Sequence, residues 1–444
     1  MRLRTSYKQI LAISAPIMIG SAAQNIITLT DRIFLFYLGV DDFASIGFVS
    51  VFYLIVAAIG FGFSRGGQIL IARRAGARED VEAGRTFHSV FLFELFLSFF
   101  LFLFMTYGCY YLFDLLVESE VVLQKSLEYV NTRKWGVFFS YTGVALISLY
   151  TGIARPKFLI YDTILLAVVN IVLDYLLIFG YYGFPKMGIA GAGLASTLAE
   201  VAAFIAFVLF MFWDKENRRY EIFRWPKVDW SLMREQYKIS IPLVVQPLIG
   251  LGSWFLFMAI IENLGEEALA ITILAQMVYL VLSIPTWGFS AGVSTLVGGF
   301  IGHKKRQAVI PIIWKTAFFS LFVTLAITIP FLLFPSATLH PFLGDEGLVL
   351  IEKAKPVFYV LGGILSVFSV GSVIFSGVSG VGASAYALKI QVYGIIFYLI
   401  YIYVVVEYFT TSLAWAWAVE IFYWLIVGLW SLWYMYSRRW YGKL

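Results

Sequence analysis

The stretch that decides the fold class runs from Ser89 to Phe104 and reads SVFLFELFLSFFLFLF, with Glu94 as its one charged residue. Membrane-spanning β-strands alternate apolar and polar side chains, whereas this stretch is apolar on every face of a helix and favours a helix in lipid. Similar stretches recur along the 444-residue chain, which is 61% hydrophobic and 13% charged. Because soluble domains carry about 25% charged residues, the composition predicts an all-α polytopic membrane protein.

Twelve apolar stretches are long enough to cross a bilayer, since a membrane helix needs about 20 residues. We therefore predict twelve transmembrane helices in two parallel six-helix repeats. The first lobe occupies residues 1–213, a cytoplasmic linker occupies 214–238, and the second lobe occupies 239–444. The linker is the only long charged stretch of the chain.

An internal repeat supports this division. When the sequence is aligned with itself so that Ser14 falls on Ser240, Ile-Ser-Ala-Pro at 13–16 aligns with Ile-Ser-Ile-Pro at 239–242. The same shift aligns Gly-Phe-Ser at 62–64 with Gly-Phe-Ser at 288–290, without a gap. Six helices per repeat give both halves the same orientation, as in transporters with parallel repeats, and we expect a substrate path between the halves.

The charged residues predict orientation rather than nucleic-acid binding. Lys and Arg are concentrated at the ends of the spans, and most of them fall in one set of alternate loops. By the positive-inside rule that side is cytoplasmic, which predicts a cytoplasmic (inner) membrane protein with both termini inside the cell. Arg133 is counted with the basic residues of the opposite side, at the start of the fourth predicted span, 129–153. The single cysteine, Cys109, excludes an intramolecular disulfide and a cysteine-based zinc site.

Three polar residues inside predicted spans are the strongest candidates for chemistry. Asp31 lies in span one, and Asn170 and Asp174 lie in span five at positions i and i+4, which share a helix face. Two carboxylates and an amide that face one cavity can hold a proton, and their oxygens also suit a hard cation such as Na⁺. The alternatives are a structural contact between helices and, for Asp31, pairing with its neighbour Arg32.

Other intramembrane residues give weaker signals. Gln24, Glu200 and Glu420 are candidates for a substrate cavity, and Pro16 is a candidate helix kink. Glu94 is interpreted as a packing or interfacial residue. No nucleophile–base pair and no metal-ligand motif supports a membrane enzyme. The sequence therefore predicts a protein that is not an enzyme.

Several short motifs also occur together along the chain. They are Pro16, Thr30-Asp31-Arg32, Leu38-Gly39, Gly62-Phe63-Ser64 with Gly66 and Gln68, Gly76-Ala77, Asn170, Asp174-Tyr175, Ile178-Phe179-Gly180 and Gly188–Ala192. With these motifs the chain resembles the multidrug and toxic compound extrusion (MATE) family over essentially its full length. The resemblance implies export of organic, often cationic, small molecules in exchange for H⁺ or Na⁺, with no cofactor and with membrane lipid around the helices.

The resemblance also implies a site in the first lobe. In many members this site uses the span-one aspartate and the span-five asparagine and aspartate, here Asp31, Asn170 and Asp174. It adds a span-six hydroxyl, for which both Ser196 and Thr197 are candidates, and a tyrosine that opens span four, Tyr129. Asp31, Asn170 and Asp174 are possible ligands of Na⁺.

In one respect the chain departs from part of the family. Another branch carries a glutamate in span seven and an aspartate in span ten. Here residues 243–250, after Pro242, read LVVQPLIG, and residues 357–379 contain no acidic side chain. Ion coupling is therefore expected in the first lobe.

Two alternative functions are left open. A flippase for a lipid or lipid-linked substrate, from the same superfamily, would need basic residues in its cavity, and Arg65 is the main candidate. A membrane-embedded enzyme is the second alternative. The sequence predicts no oligomeric state.

Overall fold

The computed structural model describes residues 5–224, 229–262, 264–344, 348–408 and 412–441, so residues 225–228 of the predicted linker and both chain ends lie outside the described residues. The described chain is almost entirely helical. The first half contains α1 (Tyr7–Phe36), α2 (Val40–Ala77), α3 (Asp80–Leu103), α4 (Cys109–Leu116), α5 (Glu120–Arg133), α6 (Gly136–Gly152), α7 (Lys157–Phe179) and α8 (Ile189–Trp213).

The second half contains α9 (Trp230–Glu262), α10 (Glu266–Leu282), α11 (Ile284–Gly302), α12 (Val309–Leu333), α13 (Pro335–Leu343), α14 (Leu348–Gly380), α15 (Ser384–Tyr403), α16 (Leu413–Trp417) and α17 (Val419–Tyr436). Residues 104–108 form a π-helical turn that joins α3 to α4. The structure confirms an all-helical polytopic membrane protein.

The membrane spans follow from helix length and composition. Among the described residues, 10 helical segments are long and apolar enough to cross a membrane, and α10 with α11, which are bent by 45° relative to each other, make an eleventh. The shorter apolar helix α6 follows α5 within the fourth predicted span, 129–153. Large apolar side chains such as Phe96, Phe99 and Phe100 are at least half exposed on α3, as expected for a surface that lipid covers.

The described chain forms two compact units, and each unit takes in part of the helix that opens the other half. The first unit contains Ile19–Val244, and the second contains the described residues up to Met18 together with those from Val245 onward. The start of α1 therefore packs in the second unit, and the start of α9 packs in the first. Met18 and Val244 are as far apart in the sequence as Ser14 and Ser240. The two boundaries between the units therefore lie at equivalent positions of the internal repeat.

Two glycines allow the helices to approach closely where the starts of α1 and α9 pack. In the first unit, a Cβ on Gly66 of α2 would collide with Ser240 of α9, and in the second unit a Cβ on Gly292 of α11 would collide with Ser14 of α1. Ser240 also donates a hydrogen bond from Oγ to the carbonyl oxygen of Phe63, at 3.0 Å. Small residues allow helices to approach closely in membranes, where packing rather than hydrophobic burial holds helices together.

Candidate functional site

Three helices of the first unit bring the candidate residues together. α1 carries Asp31, and α7, which begins after Pro156, carries Asn170 and Asp174 on one face. α7 packs extensively against α8. The side chains of Asn170 and Asp174 are 1% and 0% exposed, and Asp31 is 9% exposed. The structure therefore brings the three predicted residues into the protein interior.

The carboxyl groups of Asp31 and Asp174 lie within hydrogen-bonding reach of each other. Four buried oxygens of the site receive no hydrogen bond from any described residue, namely Oδ1 of Asp31, Oδ1 of Asn170 and both carboxyl oxygens of Asp174. A carboxylate only accepts hydrogen bonds, and two buried carboxylates in contact repel each other. A proton or a cation between the two groups would remove this repulsion.

The hydroxyl partner of the site is Ser196 of α8. Nδ2 of Asn170 donates a hydrogen bond to Oγ of Ser196 at 3.2 Å. Thr197, the other candidate from the sequence, donates instead to the backbone carbonyl of Thr132 on α5, at 3.1 Å. The two neighbouring hydroxyls therefore face different surroundings, and Ser196 is the one that contacts Asn170.

Tyr129 and Arg133 lie one helical turn apart on α5. Tyr129 is 6% exposed and interacts electrostatically with both Asp31 and Asp174. Arg133, which the sequence analysis counted only as a basic residue of the opposite side, is 6% exposed and interacts electrostatically with the same two carboxyl groups. The signal that could have found Arg133 is its i+4 spacing from Tyr129.

Arg133 is held by Glu200 of α8, one of the predicted substrate-cavity residues. Nη1 of Arg133 donates to Oε2 of Glu200 at 2.6 Å, and Nη2 donates to Oε1, so both nitrogens of the guanidinium fork are engaged. Glu200 is thus an ion-pair partner beside the carboxyl pair.

The remaining predicted residues lie elsewhere. Gln24 is exposed on α1. Pro16 lies within α1, which continues as one helix through it. Glu420 belongs to the second unit, where it interacts with Tyr398, Tyr423 and other aromatic residues.

The donor set fits a proton or a hard monovalent cation. The described residues contain no group of three or more His, Cys, Asp and Glu side chains that could hold a metal ion. The carboxyl oxygens of Asp31 and Asp174 and the amide oxygen of Asn170 are the hard oxygen ligands that an alkali cation requires. The carboxyl groups of Asp31 and Asp174 can also take up a proton, whereas the amide oxygen of Asn170 only accepts hydrogen bonds.

Comparison with known families assigns the chain. A family model described as MatE matches residues 16–176 and, a second time, residues 242–424. The chain belongs to the MATE family. The two matches correspond to the two halves of the internal repeat, and membership in this transporter family agrees with the prediction that the chain is not an enzyme.

Curated relatives of this MATE family member carry multidrug-resistance names. The probable multidrug resistance protein NorM of Bradyrhizobium diazoefficiens is 25% identical over 311 residues, which cover 69% of this chain and 66% of the relative. The protein of the same name from Thermotoga maritima is 24% identical over 353 residues, 78% of this chain and 74% of the relative. The matched region of the Agrobacterium fabrum relative is 63% of its length. The chain thus matches just under two thirds of some of these relatives.

Solved structures share the fold over nearly the whole chain. An outward-facing multidrug resistance MATE transporter of the MOP superfamily superimposes with a TM-score of 0.89 at 19% identity, covering 97% of this chain and 96% of that one. A MOP superfamily transporter from Pyrococcus furiosus superimposes with a TM-score of 0.87 at 20% identity, with the same coverage. At this identity the likeness shows the MATE fold.

Proposed function

We propose that the chain exports small organic compounds, often cationic, and that this export is driven by an ion exchanged at Asp31 and Asp174. The observation that carries the proposal is the interaction between these two buried carboxyl groups. Three of their oxygens, Oδ1 of Asp31 and both of Asp174, receive no hydrogen bond from a described residue. The multidrug-resistance names of the NorM relatives support the substrate class.

The proposed mechanism is antiport by alternating access. A proton or Na⁺ that enters between Asp31 and Asp174 removes the repulsion between them, and its departure restores that repulsion. A ligand can shift a conformational equilibrium only by its differential affinity for the two states. The carboxyl pair provides that difference, because its preferred geometry changes with its charge.

The proposed location is the cytoplasmic membrane with both termini inside the cell. The support is the concentration of Lys and Arg in one set of alternate loops. A cysteine added at Arg78, which is exposed beyond the end of α2, tests this orientation. In right-side-out cells it is expected to resist a membrane-impermeant maleimide until the membrane is permeabilised.

The function is tested by reconstituting the protein in lipid vesicles and following the movement of a fluorescent organic cation. A pH gradient and a Na⁺ gradient are imposed separately. One of the two gradients is expected to drive substrate movement in the wild type. The same result is expected in the control variant Asp114→Asn, which changes an exposed acid of α4. Failure of both gradients, with folded protein present, would contradict the proposal and would favour a lipid or lipid-linked substrate.

A further inference from the structure

Arg133 and Glu200 form an ion pair inside the first unit, where both charges are largely removed from water. The side chains are 7% and 15% exposed. Each terminal nitrogen of the guanidinium donates to a different carboxylate oxygen, Nη1 to Oε2 and Nη2 to Oε1. This paired geometry is the strongest form of an arginine–carboxylate contact and fixes the direction of the guanidinium.

A third residue holds the guanidinium from another side. Cζ of Arg133 lies 4.2 Å from the centre of the Tyr53 ring, on α2, which is the distance of a cation–π contact. Arg133 is therefore fixed between α2 and α8 and cannot swing away as a surface arginine does. Its charge stands at a constant position relative to the site.

That charge acts on the carboxyl pair. Arg133 interacts electrostatically with both Asp31 and Asp174. The other groups that act on this part of the unit include Tyr53 on α2, Tyr129 on α5 and Glu200 on α8. Because Glu200 offsets the charge of Arg133, the field that reaches the carboxyl pair depends on the balance between these two residues.

We propose that the Arg133–Glu200 ion pair is a second charge element of the coupling site, which sets the affinity of the Asp31–Asp174 pair for its cation. Arg133 opposes cation binding, and Glu200 limits that opposition. Neither residue needs to contact the ion, so both are positioning residues. This inference rests on the proposed coupling role of Asp31 and Asp174.

The proposal predicts changes of opposite sign from the two halves of one ion pair. Glu200→Gln leaves the charge of Arg133 uncompensated and is expected to weaken cation binding about tenfold. Arg133→Gln leaves a negative charge near the site and is expected to strengthen cation binding by a similar factor. The double variant Arg133→Gln/Glu200→Gln removes both charges and is expected to bind with nearly the wild-type affinity.

The measurement is a cation titration of the purified full-length protein in nanodiscs. Na⁺ is titrated at fixed pH, and protons are titrated without Na⁺, with tryptophan fluorescence as the signal. Arg85→Gln and Glu82→Gln are the matched controls, because they break an ion pair whose members are 63% and 41% exposed. Both controls are expected to keep the wild-type affinity. Thermal unfolding of each variant establishes that it is folded.

A purely structural ion pair gives a different pattern. Both single variants would then change affinity in the same direction or not at all, and that result would overturn the proposal. If Arg133→Gln does not fold, Glu200→Gln and the double variant still test the proposal. It requires a weaker cation affinity in Glu200→Gln and a recovered cation affinity in the double variant. If the wild type binds neither cation, the proposed ion coupling itself fails, which is distinguishable from the loss of the opposite shifts.

Discussion

At the scale of single residues, the adjacent hydroxyls of Ser196 and Thr197 on α8 form hydrogen bonds with different partners. Ser196 accepts a hydrogen bond from Asn170, whereas Thr197 donates one to the carbonyl of Thr132. The first bond holds the amide that shares a helix face with Asp174. The second ties α8 to α5. Loss of the first should affect the ion site, and loss of the second should affect stability.

Ser196→Ala is expected to weaken cation binding several-fold with little change in unfolding temperature. Thr197→Val is expected to cost about 0.5–1.5 kcal/mol of stability, the usual net value of one hydrogen bond, and to leave cation affinity unchanged. Cation titration and thermal unfolding of the two variants check this. Equal effects of both variants on cation affinity would contradict the distinction.

Glu94 is another buried acid of the first unit and is 0% exposed. Ser64 of α2 donates a hydrogen bond to its Oε1 at 2.8 Å, and no described residue donates to its Oε2. A buried acid that loses its one donor carries a larger desolvation penalty. The Ser64 hydroxyl is therefore a stabilising contact between α2 and α3.

Ser64→Ala is expected to destabilise the protein by about 1–3 kcal/mol, because it removes the hydroxyl that donates to Oε1 of the buried Glu94. The matched control is Ser98→Ala, which removes an equally buried hydroxyl from α3 that bonds only to the carbonyl of Leu95 in its own helix. Thermal unfolding in detergent measures both. If the two variants are equally stable, the Ser64–Glu94 bond contributes nothing.

The residues of the candidate site were predicted from the sequence except for Arg133. Asp31, Asn170 and Asp174 could be identified because polar side chains are costly inside a membrane span and therefore indicate a functional site. Arg133 lies next to Lys134 at the start of an apolar run, a place where arginines usually reach toward the headgroups. Its burial depends on Glu200, a partner that is distant in sequence, and local patterns do not contain that information.

At the scale of helices, the exchanged segments of α1 and α9 pack through equivalent contacts. Gly66 lies against Ser240 in the first unit, and Gly292 lies against Ser14 in the second. In both cases the glycine has no room for a side chain. The repeat thus preserves both the small residue and the serine that faces it.

Gly292→Ala is expected to destabilise the second unit by about 1–3 kcal/mol, the usual cost of overpacking. Ser14→Gly, which removes the colliding hydroxyl, is expected to restore part of the loss. For Gly66→Ala the rescue by Ser240→Gly is expected to be smaller, because the Cα of Ser240 also lies within 3.0 Å of the added Cβ position.

Gly47→Ala and Gly143→Ala are the controls for these helix contacts, since a Cβ at either position meets nothing within 4 Å. Both are expected to leave thermal stability unchanged or slightly raised, because alanine favours a helix over glycine. A loss of stability in the controls equal to that of Gly292→Ala would show that the Ser14 contact is not the cause.

The helices themselves were largely predictable, because length and hydropathy identify membrane spans. The fourth predicted span, 129–153, joined the last turn of α5 to α6, because Arg133 and Lys134 were too few charges to separate them from the apolar run. The size of the 45° bend between α10 and α11 could not be predicted. Pro285, near the start of α11, marks its position but not its angle.

At the scale of the whole molecule, each compact unit contains a helix segment from the other half of the sequence. The predicted division at 1–213, 214–238 and 239–444 follows composition, and it stays a prediction about the repeats. The exchange at Met18 and Val244 lies within α1 and α9, where no change in composition marks it. Tertiary packing decides that boundary.

The central claim is that the Asp31–Asp174 pair couples an ion to export. The most direct test compares two activities of Asp174→Asn in vesicles: substrate movement driven by an ion gradient, and substrate-for-substrate exchange without a gradient. The account predicts that gradient-driven movement falls about tenfold or more while exchange persists, because the variant still alternates but no longer needs the ion. Gradient-driven movement at the wild-type rate, in this variant and in Asp31→Asn, would contradict the account.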